Sequence, residues 1–291
     1  MKKIDSLLPG HLSKQPARSW LFTPATKPER FAKAMEVGAD VQIIDLEDSV
    51  APAEKESARK SAFDYLREQS ANRPLLALRV NAMRTRWGLR DLDALVQHDP
   101  QPDFVIIPKV ESAAEITLVA ELLEGCGKST AIVTMIESAR AIYRLEEIAE
   151  SNVRLSHLLF GSADLAADLR AENTWEALLY ARSRAVGAAA LANLPVIDAP
   201  SFDLASNGAL KADLQAGRSL GFAGKAAIHP KQVAEINQAF TPSSEEVNAA
   251  KKIIEESLKG AGTVDGKMVD EAVARHARQI LSMAKVLGLG A

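Results

Sequence analysis

Acidic side chains follow two of the apolar runs of this chain, at the points where buried strands would end. The run AIVTMI is followed by Glu137, and the run LLFGSA is followed by Asp164. Two carboxylates that meet in a partly dry site repel each other unless a cation lies between them. A few oxygen ligands without a neighbouring histidine or cysteine suit Mg²⁺, which keeps waters and takes further ligands from a substrate. The sequence therefore predicts a magnesium site at Glu137 and Asp164, with pairing of Glu137 to Arg140, or capping of the next helix by Glu137, as the alternatives.

Arg79, near the end of another apolar run, is the predicted substrate-binding cation. A guanidinium group can bind a carboxylate through two parallel hydrogen bonds, and a metal beside it could chelate the same carboxylate and an adjacent oxygen. The small residues of FGSAD, among them Ala163, would let backbone N–H groups approach that anion. The predicted ligand is therefore a small oxyacid. A salt bridge from Arg79 to Glu47 or Asp48 is the alternative, and both arrangements could hold.

Eight short apolar runs, each followed by a helical segment, would have to position these side chains. The predicted strands are 19–24, 41–47, 75–81, 104–110, 131–137, 157–164, 195–200 and 225–230. Continuously apolar strands that alternate with helices are typical of a parallel sheet covered by helices. Eight such units over roughly 220 residues predict an α/β fold, a closed (β/α)₈ barrel, rather than a doubly wound open sheet. No convincing G-x-G-x-x-G follows the first strand, which also argues against a dinucleotide-binding fold.

In a barrel of this kind, the carboxyl ends of the strands form the active face. Seven of the eight runs end in polar residues: Asp45, Glu47, Asp48, Arg79, Asn81, Lys109, Glu111, Glu137, Asp164, Asp198 and His229. Side chains two positions apart on a strand face the same side, so Asp45 could converge with Glu47, and Arg79 with Asn81. Each residue alone has a structural explanation, but so many at one end of a barrel favour a site.

Two parts of unequal size follow from this assignment. Residues 1–240 would form the barrel with a short N-terminal arm, and residues 241–291 would form a helical extension. The extension contains a capped helix, the segment VDGKMVD and a last helix. It must dock on the barrel, cover its mouth or pack against a neighbouring subunit.

Composition excludes several functional classes. A formal net charge of -3 and a pI near 6.0 provide no basic field for nucleic acid. No apolar run is long enough to span a membrane, and the N-terminal segment lacks the apolar core of a signal peptide. A single cysteine permits no internal disulfide. We therefore expect a soluble cytoplasmic protein without nucleic-acid or membrane partners.

Eight segments, in this order, resemble the citrate lyase beta-subunit family, which includes malyl-CoA and citramalyl-CoA lyases. They are RSWLFTPATKPERFAKA, DLEDSV, LRVN, IPKVES, MIESARA, FGSADLAADL, GFAGKAAIHPKQ and GKMVDE. The resemblance implies a (β/α)₈ barrel with a C-terminal helical extension, commonly in a homotrimer. It also implies Mg²⁺-dependent cleavage of a β-hydroxyacyl-CoA thioester to an acetyl thioester and an α-keto acid.

The same resemblance assigns roles to the polar residues. Glu137 and Asp164 would hold the metal, and Arg79 would bind the keto-acid carboxylate. Glu47 and Asp48 would order metal-bound water, and we count Glu47 with Arg79 among the predicted catalytic residues.

Three further positions are assigned outside the strand ends. By resemblance, Asp270 would be a catalytic acid/base carboxylate that the extension offers to an adjacent subunit. Asp270 could also cap the last helix, and both roles could apply. Lys27 and Arg30, after the first strand, are predicted to bind the phosphates of CoA, or else are exposed cations at a helix start.

Other functions remain open from the sequence. Lys109 could form a Schiff base in an aldolase, although Glu111 nearby would keep it charged. The chain could instead be a citrate lyase subunit acting on a carrier-bound citryl thioester, a malate synthase-like thioesterase, or an acyl-CoA-binding assembly subunit. Because the metal pair and the arginine are present together, the non-catalytic assembly subunit is disfavoured. The motifs do not separate a citrate lyase subunit from a free-standing lyase for citramalyl-CoA or malyl-CoA, and we favour the free-standing lyase.

Overall fold

Eight parallel strands close into a barrel in the order of the sequence. The structure, a computed structural model, describes residues 12, 15–69, 73–99, 101–204, 207–260 and 262–289. The strands are β1 Ser19–Pro24, β2 Val41–Asp45, β3 Leu75–Arg79, β4 Phe104–Ile107, β5 Ala131–Ile136, β6 Leu155–Phe160, β7 Val196–Asp198 and β8 Gly224–Ala227. Strand β1 pairs with both β2 and β8, which closes the ring. The predicted (β/α)₈ barrel is confirmed.

Both faces of each strand are buried, which is why the strands are continuously apolar. In β2, Val41 and Ile43 belong to the cluster inside the barrel, whereas Ile44 packs in the layer between barrel and helices. Side chains alternate between the two faces, so Asp45 follows Ile43 on the inner side. Glu137 continues the inner alternation of β5 in the same way. Strand alternation therefore brings acidic side chains into the carboxyl end of the barrel.

Helices follow the strands and form the outer layer. They are α1 Phe31–Glu36, α2 Lys55–Glu68, α3 Arg86–Gln97, α4 Ala113–Gly125, α5 Ala139–Ile142, α6 Leu145–Ala149, α7 Ser162–Leu169, α8 Trp175–Ala192, α9 Asn207–Leu220 and α10 Val233–Ala239. Several strands end earlier than predicted, because their polar residues already lie in the following loop or in the first turn of the next helix. The predicted strand 157–164, for example, ends at Phe160, and α7 begins at Ser162.

The chain continues into α11 Ser244–Ser257, a hairpin of β9 Gly262–Val264 and β10 Lys267–Val269, and α12 Glu271–Val286. The hairpin turns through Asp265 and Gly266, both at positive φ, as a two-residue D-G turn requires. Side chains of α12, including Gln279 and Met283, share a cavity of about 790 Å³ with Leu75 and Phe104, at the amino ends of β3 and β4. The extension therefore docks on the end of the barrel opposite the strand-end carboxylates.

In the part of the chain that the structure describes, no helix combines the length and the apolar character needed to cross a membrane.

Candidate active site

A cavity of about 420 Å³ opens at the carboxyl end of the barrel. Six residues that the sequence assigned to the active face or the site line it together: Asp45, Asp48, Arg79, Glu137, Ala163 and Asp164. They come from the ends of β2, β3 and β5 and from the start of α7, which lie apart along the chain. The structure thus brings the predicted metal carboxylates and the predicted substrate arginine into one space.

Glu137 is buried at the wall of this cavity, with 2% of its surface exposed. Its Oε1 accepts the backbone N–H of Lys109 at 2.6 Å, whereas its buried Oε2 has no hydrogen-bond partner among the described residues. Gly161 provides the space beside it, since a Cβ at that position would lie 2.5 Å from Oε2 of Glu137. A buried carboxylate oxygen without a donor is costly, so it calls for a ligand.

The charge state of Glu137 leads to the same conclusion. Burial, together with the negative charges of Glu47 and Asp164, raises the pKa of Glu137 to about 8 despite the nearby Arg79. A divalent cation would supply the positive charge that the ionised carboxylate lacks.

Both alternative explanations of Glu137 are wrong in this structure. The N-cap of α5 is Ser138, whose hydroxyl accepts the backbone N–H of Ala141 at 3.1 Å. Arg140 pairs with Glu111 at 3.1 Å. Neither helix capping nor this surface ion pair therefore accounts for a carboxylate at position 137.

The residues present fit Mg²⁺ in an open site. Among the described residues, no group of three or more histidine, cysteine, aspartate or glutamate side chains is arranged to enclose a metal. Two carboxylates in one cavity, Glu137 and Asp164, match an ion that takes its other ligands from water and substrate. Helix α7 begins beside them at Ser162, and the N–H groups of a first helical turn have no acceptor within the helix. These N–H groups, which include that of Ala163, are suited to an anion.

Arg79 is held in place by a two-point ion pair. Its Nε and Nη2 donate to Asp45 at 2.6 and 2.7 Å, and its Nη1 lies 3.0 Å from Oε2 of Glu47. The guanidinium carbon also lies 4.7 Å from the ring centre of Phe22. Burial opposes the charge, but the adjacent carboxylate of Asp45 raises the pKa of Arg79 above its usual value. The predicted salt bridge to Glu47 is confirmed, although Asp45 is the main partner.

The structure supports a different role for Lys109 from the one considered in the aldolase alternative. Its Nζ lies 2.6 Å from Glu47 and 3.0 Å from Asp48, whereas Glu111 pairs instead with Arg84 at 2.5 Å. Burial opposes the charge, but the hydrogen bond to Glu47 raises the pKa of the Lys109 ammonium above its usual value. A Schiff-base lysine must lose its proton to act as a nucleophile. The contacts of Lys109 therefore argue against an aldolase of this kind.

Two strand-end residues expected at the active face point elsewhere. The backbone and side-chain N–H groups of Asn81 donate to Asp91 in α3 at 2.8 and 2.6 Å. Asp198 is fully buried and pairs with Lys225 at 2.6 Å and with Arg182 of α8 at 3.1 Å. The expectation that Asn81 and Asp198 join the cluster is wrong. Both instead tie the barrel to its helices.

His229 has a structural role at the end of β8. Its Nδ1 accepts the backbone N–H of Lys231 at 3.2 Å, which caps the turn Pro230–Gln232. This local hydrogen bond accounts for the residue without a ligand.

Glu47, predicted to be catalytic, pairs with Arg79 and Lys109 and is not part of the cavity lining that the structure describes, so its catalytic role stays a prediction. Three further predicted residues also lie outside that lining. Lys27 and Arg30 are exposed in the turn after β1, at the same end of the barrel as the cavity. Asp270 is exposed on the extension and caps α12, where its Oδ1 accepts the backbone N–H of Val273 at 3.0 Å. The predicted capping role of Asp270 is confirmed. The roles of all three in binding or catalysis remain predictions.

The sequence reasoning missed the apolar floor of the cavity. Phe22, Met135 and Leu159 line it beside Arg79. Met135 and Leu159 are register partners on β5 and β6 and belong to the cluster inside the barrel. Counting alternate positions back from Glu137 would have placed Met135 on this inner face.

Comparison with known proteins agrees with the fold. Residues 18–230 match the HpcH/HpaI aldolase/citrate lyase family. The chain is 32% identical over 305 residues to an L-malyl-CoA/beta-methylmalyl-CoA lyase of Cereibacter sphaeroides, covering 94% of this chain and 96% of the relative. It is also 32% identical over 287 residues to the citrate lyase subunit beta of Escherichia coli, covering 94% of each chain.

A solved structure extends the comparison to ligands. The crystal structure of protein CitE from Mycobacterium tuberculosis in complex with magnesium, acetoacetate and coenzyme A matches with a TM-score of 0.78 at 31% identity. That match covers 93% of this chain and 99% of the CitE chain. The resemblance to the citrate lyase beta-subunit family is confirmed. The enzyme class is confirmed as well, since one relative is named as a lyase of CoA thioesters and the other as a subunit of citrate lyase. The chain is a member of the HpcH/HpaI aldolase/citrate lyase family.

Proposed function

We propose that this protein is a Mg²⁺-dependent carbon–carbon lyase that cleaves citramalyl-CoA or malyl-CoA to acetyl-CoA and an α-keto acid. One observation carries the proposal: the buried Oε2 of Glu137, which has no hydrogen-bond partner in the part of the chain that the structure describes, lies in the wall of the cavity that also contains Asp164 and Arg79. A metal carboxylate and a carboxylate-binding arginine in one small space suit a 2-hydroxy acid.

We assign a separate role to each residue of the site. Glu137 and Asp164 would hold the ion, which when bound lowers the pKa of a hydroxyl group and polarises a carbonyl group. Arg79 would bind the substrate carboxylate with the N–H groups that Asp45 does not occupy, since Asp45 accepts two of the five. Because Asp45 already fixes the guanidinium plane, little reorganisation is needed during the reaction.

The reaction is a retro-Claisen cleavage. The substrate hydroxyl loses its proton, and its oxygen becomes the carbonyl oxygen of the keto acid as the C–C bond breaks. The electron pair of that bond passes to the thioester, which forms an enolate. The enolate takes up a proton on carbon and becomes acetyl-CoA. Two proton transfers are therefore required, and suitably positioned carboxylates can perform them.

Asp270 is our candidate for proton transfer, in a site formed with a second subunit. It is exposed, and its own extension docks at the opposite end of the barrel. This arrangement favours a homo-oligomer, with a trimer as the expected state, in which each Asp270 serves a neighbouring cavity. Lys27 and Arg30, exposed at the cavity end, would bind the phosphates of CoA.

The cavity lining favours a keto acid with a single carboxylate. Arg79 is the only lysine or arginine among the described lining residues, and the floor beside it is formed by Phe22, Met135 and Leu159. A second carboxylate, as in oxaloacetate, would have no cation of its own there. Glyoxylate and pyruvate lack that second charge, so malyl and citramalyl thioesters suit the site better than citryl thioesters.

The test uses purified protein, Mg²⁺ and three thioesters: malyl-CoA, citramalyl-CoA and citryl-CoA. We expect acetyl-CoA with glyoxylate or pyruvate, little oxaloacetate, and no turnover in EDTA. Free CoA with intact hydroxy acid would identify a thioesterase instead. Faster cleavage of a carrier-bound citryl thioester would identify a citrate lyase subunit.

A further inference from the structure

Lys109 has a backbone conformation that its place in the chain does not explain. It follows β4 with a φ of 53°, in the left-handed region that side chains with a Cβ disfavour. The other described non-glycine residues at positive φ are Arg170, Asn193 and Asp265. Two of them end helices and the third lies in the hairpin turn, which are common places for this conformation. Lys109 occupies neither kind of position.

All the polar groups of Lys109 make contacts at or beside the site. Its backbone N–H donates to Oε1 of Glu137 at 2.6 Å, and its carbonyl accepts from Nη2 of Arg84 at 2.6 Å. Its ammonium donates to Glu47 at 2.6 Å and to Asp48 at 3.0 Å. One residue therefore contacts three of the carboxylates assigned to the site, one through its backbone and two through its side chain.

These contacts depend on each other through the backbone. The left-handed conformation turns the N–H of residue 109 toward Glu137 while the side chain reaches Glu47 and Asp48. An extended conformation would rotate the N–H and the side chain relative to each other. The N–H group could then not contact Glu137 while the ammonium contacts Glu47 and Asp48. Because the Cβ of Lys109 makes this conformation unfavourable, another interaction must stabilise it. The ion pairs of the ammonium can do so.

We propose that Lys109 is a positioning residue, whose ammonium, bound between Glu47 and Asp48, holds its backbone in the conformation that presents an N–H group to Glu137. This hydrogen bond fixes one carboxylate oxygen of Glu137 and leaves the other facing the cavity. Lys109 thereby sets the affinity of the site for a divalent cation without touching the reacting atoms. The inference rests on the proposed function only in taking Mg²⁺ as the ion.

Glycine and alanine at position 109 form the decisive pair of variants. Both remove the ammonium, so they change the charge of the site equally. Glycine adopts the left-handed conformation readily, whereas alanine retains the steric penalty of a Cβ. We therefore expect Lys109→Gly to keep the N–H group on Glu137 and Lys109→Ala to lose it. A role limited to stability predicts that the two variants differ in thermal unfolding but, once folded, bind Mg²⁺ with equal affinity, because a Cβ destabilises a position of positive φ whatever that position contacts.

The experiment is calorimetric titration of the full chain with Mg²⁺, without substrate. We expect Lys109→Ala to bind about tenfold more weakly than Lys109→Gly, as for loss of a group that orients a metal ligand. Equal affinities, or weaker binding by Lys109→Gly, would overturn the inference while leaving the proposed function intact. Wild-type protein that binds no Mg²⁺ would overturn both.

A second pair of variants tests the same inference in case Lys109→Gly or Lys109→Ala does not fold. Asparagine tolerates the left-handed conformation and glutamine does not, although both are uncharged amides. Lys109→Asn should bind Mg²⁺ more tightly than Lys109→Gln, and thermal unfolding in EDTA shows which variants are folded. The absence of any difference in this pair also contradicts the inference.

Discussion

Asp45 and Arg79 lie directly opposite each other on β2 and β3, and their side chains form a two-point ion pair inside the barrel. Parallel strands align residues at the same height, so the register of the sheet produces the pairing. A guanidinium fixed in this way needs no rearrangement to receive a carboxylate. The substrate recognition that we propose for Arg79 would therefore depend on a residue from another strand.

Replacing Arg79 should weaken substrate recognition while the protein stays folded. Arg79→Lys keeps a positive charge but loses the planar group that binds Asp45 and a carboxylate at once. We expect kcat/KM to fall by about 10- to 10²-fold, since a buried hydrogen bond to a charged group contributes about 1.5–3 kcal/mol. Steady-state kinetics measure this, with Arg184→Lys at an exposed ion pair as the matched control. Equal losses in the two variants would contradict the role of Arg79.

Glu137→Gln should remove Mg²⁺ binding and leave the fold intact. The amide has the shape of the protonated carboxyl group, which burial already favours in the metal-free protein. We expect no turnover and no calorimetric signal with Mg²⁺, but an unchanged thermal midpoint in EDTA. Glu146→Gln, at an exposed carboxylate of α6, is the control. Unchanged turnover in Glu137→Gln would falsify the metal assignment.

Magnesium binding should release a proton near neutral pH. Burial and neighbouring charges raise the pKa of Glu137 from 4.5 to about 8, so the metal-free carboxyl is mostly protonated at pH 7. The metal requires the ionised form, and its affinity should therefore rise with pH up to about 8. Calorimetry in buffers with different ionisation enthalpies counts the released protons. A count near zero at pH 7 would contradict this pKa.

The same shift predicts the pH dependence of stability without metal. The folded state binds the proton on Glu137 more tightly than the unfolded chain does. The contribution of this group to the free energy of unfolding is therefore greatest below pH 4.5 and falls as the pH rises toward about 8. Glu137→Gln should show a weaker decline over that range, as measured by urea unfolding in EDTA.

Asp270→Asn should impair turnover more than stability. Asparagine also caps helices, so the start of α12 should be preserved. We expect kcat to fall strongly, with little change in the thermal midpoint. An unchanged kcat would remove Asp270 from the mechanism.

Co-expression tests whether Asp270 acts on another subunit. Asp270→Asn and Glu137→Gln chains should each be inactive alone. If a site combines residues of two chains, random mixing of equal amounts should restore about a quarter of wild-type activity. Mixtures without activity would show that each chain uses its own Asp270.

Strand alternation explains which parts of the site could be predicted. The apolar runs located all eight strands. Glu137 continues the alternation that places every second residue of β5 inside the barrel. Asp198 shows the limit of reading a strand end as an active face. It lies two residues after Val196, which packs in the outer layer, so its side chain also points outward. Counting alternate positions along β7 would therefore have excluded Asp198 from the active face.

Other features depend on contacts that no local pattern specifies. The strand β3 ends at Arg79, so alternation no longer governs Asn81, which turns to Asp91. Lys109 meets Glu47 across 62 positions of sequence, and only the closed barrel brings them together. The hairpin of the extension, by contrast, had a local pattern, the Asp265–Gly266 pair, from which it could have been predicted.

Gly161 contributes no side-chain atom to the site, yet the site depends on it. One methyl group there would overlap the carboxylate of Glu137. The distance between two neighbouring backbones thus determines whether that acidic group fits at the cavity wall, where we propose that it binds an ion. An inventory of polar residues would overlook the most restrictive requirement of this centre, which is an empty volume the size of one carbon atom.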